Sequence, residues 1–112
     1  LSREAPAMVK HNGKYYLLTS GCTGWDPNPA AFGISETVMG EYKIMENPCR
    51  GTDADKTYYA QSTFIAALPN GSYIALFDRW NKLNLEDSRY VWLPLHFDKE
   101  TMVIDWKESW NY

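Results

Sequence analysis

Apolar and polar residues alternate along most of this chain with the period of two that marks half-buried strands, and no convincing helical period interrupts them. The alternation is doubled. Glu4-Ala-Pro-Ala-Met-Val-Lys-His-Asn-Gly-Lys-Tyr-Tyr-Leu-Leu-Thr-Ser20 is echoed by Gln61-Ser-Thr-Phe-Ile-Ala-Ala-Leu-Pro-Asn-Gly-Ser-Tyr-Ile-Ala-Leu-Phe77. Each passage is an apolar run, an Asn-Gly pair and an aromatic-rich run, the strongest short-range hairpin signal. The pattern predicts strands near 5–10, 14–19, 30–36 and 41–45 in the first copy. In the second it predicts 62–68, 72–78, 89–97 and 102–106. Tyr15 and Tyr16 are neighbours on one strand, so one is expected to face the core and the other outward.

Four strands per copy is the count of one propeller blade, and the spacing of the two Asn-Gly pairs is close to the roughly 40 to 50 residues of a blade with extended loops. The expected fold is all-β, a propeller portion of about two four-stranded blades, with repeats at about 4–56 and 57–112. Polar, turn-rich loops at Gly21–Pro29, Glu46–Lys56 and Asn81–Asp87 are the places to look for chemistry, because a rigid scaffold presents function on its loops. First strands of blades line the central channel. Glu4 and Gln61, at the heads of those strands, are therefore expected in one pocket.

The 112 residues fit one domain at most. Aromatics make up 15% of the chain, with five Trp and eight Tyr, which supply core filling or flat stacking surfaces. The net charge of −3, without a run of either sign, leaves no footprint for nucleic acid or an anionic membrane. No apolar stretch approaches the roughly 18 residues of a membrane-spanning helix. A chain opening at Leu1 without a leader, directly into a motif, reads as a piece of something longer. His11 and His96 lack partners at metal-ligand spacing, so no protein-built metal site is expected.

The run Arg3-Glu4-Ala5-Pro6, with Gly13-Lys14-Tyr15-Tyr16-Leu17 and Ser20-Gly21-Cys22-Thr23-Gly24-Trp25-Asp26-Pro27-Asn28, resembles glycoside hydrolase family 43, the five-bladed β-propeller glycosidases. Asn47-Pro48-Cys49, Gln61-Ser62-Thr63, Asp78-Arg79-Trp80 and Ser88-Arg89-Tyr90-Val91-Trp92-Leu93-Pro94-Leu95 narrow the resemblance to the exo-β-1,3-galactanase branch, over essentially the whole chain. By that resemblance Glu4 is the general acid. Burial beside Pro6 and aromatic neighbours is expected to assist it, since an apolar surround disfavours the charged form. The family inverts, and an inverting reaction needs an activated water on the opposite face of the sugar. The branch lacks the usual Asp base, and Gln61 matches the residue suggested in its place. An ordinary amide is a very weak base, so positioning the water is the easier role.

The resemblance further implies that Thr23, Trp25, Asp26 and Asn28 border the sugar pocket, with Trp25 stacking on a galactose face. Arg79 is expected to hold a pocket carboxylate by a forked hydrogen bond. Four of the site residues have a plainer reading: Glu4 as a solvated surface group, Trp25 as a loop anchor, Gln61 as a bond closing a blade, and Arg79 paired with Asp78. Trp80, Trp92, Trp106 and Trp110 are expected to pack between sheets, Trp92 most clearly. Cys22 and Cys49 form a disulfide or stay as two thiols; both remain open.

The implied substrate is β-1,3-linked galactan or arabinogalactan, and the implied location is extracellular or periplasmic. No cofactor is expected, and an axial calcium ion is left open because none of these residues is read as its ligand. A five-bladed propeller needs about five such units and two are present, so the partners expected are the remaining blades or a second copy. Two other readings stand beside galactan hydrolysis. One is an arabinofuranosidase or xylosidase of the same family; the other is an inactive carbohydrate-binding or assembly module.

Overall fold

The computed structural model describes residues 2–111 and contains nine strands: β1 (Arg3–His11), β2 (Lys14–Gly21), β3 (Ala31–Ser35), β4 (Lys43–Ile44), β5 (Cys49–Arg50), β6 (Gln61–Ala67), β7 (Tyr73–Arg79), β8 (Arg89–Asp98) and β9 (Thr101–Asp105). They form two sheets, one ordered β1-β2-β3-β4 and the other β5-β9-β8-β7-β6. The eight expected strands are all present. The second sheet has a fifth strand instead of four, because β5, from the polar loop after the first hairpins, pairs in parallel with β9 through Cys49–Ile104 and Arg50–Asp105.

The matching Asn-Gly pairs close different turns. Asn12 and Gly13 both have positive φ (47° and 77°), the signature of a type I′ turn, and join His11 to Lys14 directly. In the second hairpin Pro69 intervenes and its ring forbids positive φ. The turn is therefore wider: Leu68 N–H donates to Ser72 O, Gly71 N–H donates to Leu68 O, and Gly71 alone of the pair takes positive φ (86°).

Alternation places one face of each sheet in a shared core. Tyr16, Leu18, Phe32 and Ile34 from the first sheet join Ile65, Phe77, Leu93, Met102 and Ile104 from the second. Tyr16 is buried and Tyr15 half-buried, as the alternation requires. At the turn end of the inner strands, His11 stacks on Phe97 at 4.0 Å and its Nδ1 lies 3.0 Å from the Tyr73 hydroxyl, joining the two sheets. Trp92 departs from expectation. Its position in β8 carries the opposite parity to Val91 and Leu93, so it points away from the core and is 57% exposed.

Both inner strands bulge just after their heads. The register of β1 on β2 slips between Glu4 and Ala7, with Ala5 in the left-handed region (φ 53°). That of β6 on β7 slips between Ser62 and Phe64. Bulges of this kind re-aim side chains next to functional sites. The two are tied together, since the buried Ser62 hydroxyl donates to Ala5 O at 2.6 Å. Ser62→Ala is expected to cost about 1 kcal/mol by leaving that carbonyl without its donor. An unchanged urea midpoint would show that the bond does not hold the bulge.

Both cysteines are free thiols, Cys22 exposed and Cys49 buried. Burial pushes the Cys49 thiol up to about 12, against the lowering influence of Tyr58 and Arg50. At pH 8 a maleimide is therefore expected to modify the folded protein once, at Cys22, as read by intact mass; a second addition without denaturant would contradict the burial of Cys49.

Candidate active site

The site is assembled where the heads of β1 and β6 meet. Glu4 sits opposite Ser20 of β2, and Gln61 opposite Asp78 of β7. The bulges that follow turn both side chains toward the same end of the sheets. Gln61 Nε2 donates to Glu4 Oε1 at 3.2 Å and to Ser20 Oγ at 3.0 Å. On its other side, Gln61 Oε1 accepts the indole N–H of Trp80 at 2.9 Å. The amide thus has both N–H groups and one oxygen lone pair engaged.

A groove of about 490 Å³ opens from Gln61 and Ser20, walled by Trp25, Asp26 and Asn28 of one loop and by Arg79 at the end of β7 with Trp80 and Lys82 of the loop that follows it. Trp25 and Trp80 meet edge to face, centroids 5.2 Å apart, and are 50% and 37% exposed. Lys82 Nζ bonds Asp26 Oδ1 at 2.7 Å, joining the two loops across the rim. Tyr59 also lines the groove. It ends a run, Thr57 to Tyr59, in which three non-glycine residues are left-handed (φ 49°, 57° and 60°). Such residues cost roughly 1–2 kcal/mol each and persist where the surroundings hold them.

The holding groups here are specific. Thr57 Oγ1 donates to Asn28 O at 2.7 Å. Arg79 Nε and NH2 both donate to Tyr58 O, at 3.2 and 2.8 Å. The Arg79 fork therefore lands on a backbone carbonyl instead of the expected carboxylate, and no ion pair with Asp78 forms. The guanidinium also lies 5.8 Å from the Trp106 ring centroid. Arg79 shapes the groove wall and fixes the strained segment under it.

The Gly21–Pro29 loop shows a similar shift from expectation. Asn28 Nδ2 donates to Gly21 O and Thr23 Oγ1, while its Oδ1 accepts Gly21 N–H at 2.7 Å. Thr23 Oγ1 in turn donates to Asp26 O at 2.5 Å. Asn28 and Thr23 thus spend these hydrogen bonds on the loop itself; Asn28 still lines the groove and Thr23 does not. Trp25 and Asp26 line it as exposed side chains of the same loop.

Glu4 is exposed, and so is Pro6, so the apolar surround expected for the acid is not supplied by these residues. Trp80, expected between the sheets, is instead part of the site. Its place just beyond β7, matching that of Cys22 beyond β2, was the available signal. Among the described residues no group of three His, Cys, Asp or Glu is arranged to hold a metal ion.

No family model and no curated protein sequence matches the chain. Solved structures do. A GH43 β-1,3-galactosidase, BT3683, solved with galactodeoxynojirimycin, is 47% identical over 98% of this chain and 32% of its own, with a TM-score of 0.94. This chain belongs to glycoside hydrolase family 43. The exo-β-1,3-galactanase 1,3Gal43A from Clostridium thermocellum is 39% identical over 91% of this family 43 chain, with a TM-score of 0.78. A variant of the exo-β-1,3-galactanase from Phanerochaete chrysosporium, solved with β-1,3-galactotriose, is 33% identical over 91%, with a TM-score of 0.81. The family 43 chain spans about a third or less of these relatives, covering 32%, 23% and 23% of their lengths. The two sheets are accordingly part of a family 43 propeller fold.

Proposed function

We propose that this chain supplies the acid-bearing part of an inverting exo-β-1,3-galactanase, acting on β-1,3-galactan or arabinogalactan from the non-reducing end. The observation that carries the reading is the contact between Glu4 and Gln61 at the heads of two neighbouring inner strands, with Gln61 in turn lining an aromatic-walled groove that Glu4 itself does not line. Glu4 is the general acid. With Oε1 accepting from the Gln61 amide, Oε2 is the oxygen left to carry a proton and deliver it to the departing glycosidic oxygen. Trp25, half exposed at the rim, offers an apolar face to a pyranose ring.

Gln61 orients Glu4 in this mechanism. A water-activating group stands roughly 6.5–9.5 Å from the acid in inverting glycosidases. At 3.2 Å, Gln61 leaves no room for a sugar and a water between itself and Glu4. The water is activated by groups beyond these residues, furnished by further blades or another copy. The test is incubation with β-1,3-galactan, arabinan and xylan, with products followed by proton NMR. Release of galactose as its α-anomer from galactan alone is expected. Arabinose or xylose as the main product would replace the specificity, and sugar binding without hydrolysis would leave a binding module.

Partner blades also follow from the outer faces. Phe64, Leu76 and Trp92 stand in one cross-strand row on the second sheet, with Phe64 58% and Trp92 57% exposed. Such a row calls for cover. The isolated chain is expected to sediment above its monomer mass, and Trp92→Lys to shift it toward monomer; a wild-type monomer at high concentration would remove this support. No helix among the described residues is long and apolar enough to cross a membrane. Action on a polysaccharide places the protein outside the cytoplasm, extracellular or periplasmic.

A further inference from the structure

We propose that Trp80 is a positioning residue that locks the Gln61 amide in one orientation while Glu4 carries its proton, an inference that rests on the reading of Glu4 as the acid. Three side chains contact the amide: Glu4, Ser20 and Trp80. A carboxylate only accepts, so an ionised Glu4 by itself keeps Nε2 turned toward it. A carboxylic acid both donates and accepts, and so does the Ser20 hydroxyl. Once Glu4 is protonated, neither partner distinguishes the two faces of the amide.

The indole N–H is donor-only. At 2.9 Å from Oε1 it is the one partner of the three that opposes rotation in the protonated state. A rotated amide would turn Oε1 toward Glu4, accept the carboxyl proton as a hydrogen bond and divert it from the sugar. It would also set Nε2 against the indole N–H, donor against donor. Trp80 is itself held by its edge-to-face contact with Trp25, and Lys82, two residues on, is bonded to Asp26. The loop bearing Trp25 therefore steadies the group that steadies Gln61.

Glu4→Gln replaces the carboxyl by a neutral group that donates and accepts, imitating the protonated acid. Hydrogen exchange of the Trp80 indole N–H, read by NMR on the labelled chain, is expected to be about fivefold or more slower in wild type and in Glu4→Gln than in Gln61→Met, which removes the acceptor. Equal exchange in Gln61→Met and wild type would overturn the proposal, as would protection in wild type that disappears in Glu4→Gln. In the galactan-hydrolysing assembly, Trp80→Phe is expected to lower kcat about tenfold, and to have no further effect on kcat beside Gln61→Ala. Equal losses in both backgrounds would also overturn it. If no galactan is hydrolysed, the galactanase reading fails, while the exchange comparison still decides whether Trp80 holds the amide.

Discussion

Glu4→Gln lowers kcat on β-1,3-galactan by about 10²- to 10⁴-fold, the range for losing a positioned general acid. The substitution keeps the side chain's shape and its acceptor toward Gln61 Nε2, so the hydrogen-bonded cluster survives. What it removes is the dissociable proton. The defect is therefore expected to depend on the leaving group: large for galactan, whose departing sugar alkoxide needs protonation, and small for an aryl galactoside with an acidic phenol. Steady-state kinetics on the two substrates checks this. Equal losses on both would point away from acid catalysis and toward a binding role for Glu4.

The second large effect is structural. Tyr58 is 1% exposed, and its hydroxyl accepts Arg50 N–H at 2.9 Å while facing Arg50 O and Ile104 O, each at 2.7 Å. One hydroxyl thus meets backbone groups of β5 and β9 from within the strained segment that leads to Gln61. Burial raises the phenol above its ordinary range, which keeps its donor proton in place. Tyr58→Phe is expected to cost about 1–3 kcal/mol, the penalty for stranding a buried donor. Tyr58→Ala adds a cavity and is expected to cost about 3–5 kcal/mol in all. Urea unfolding of the pair separates the two contributions, and equal losses would assign the whole effect to ring packing.

Much of this architecture was readable because hairpins are local. Asn12-Gly13 with alternating flanks specifies a register on its own, and the same logic put Glu4 and Gln61 at equivalent strand heads. Readings failed where the deciding partner was remote in sequence. β5 is two residues long and becomes a strand only against β9, so no alternation announces it. Arg79 looked like a carboxylate clamp because nothing local shows that the turn before β6 aims the Tyr58 carbonyl at it. Trp80 and Trp92 looked like core by residue type, yet strand parity turns Trp92 outward, and Trp80 lies past the end of β7. Asn28 and Thr23 share the Trp25 loop, and the hydrogen bond between them, which no local pattern announces, turns their polar atoms into it.

The pairing of β5 with β9 also sets an order of events as the chain folds. The first hairpins and the β6–β7 pair close on neighbours in sequence and can form as soon as they exist, whereas Cys49 must wait for Ile104. Long-range pairings of this kind are slow because loop closure precedes the contacts that reward it. Tyr58 depends on the same strands, since its hydroxyl partners sit at Arg50 and Ile104. A nascent chain stopped before β9 would thus hold Glu4 and Gln61 on finished hairpins while the Tyr58 hydroxyl, in the segment leading to Gln61, still lacked its partner at Ile104.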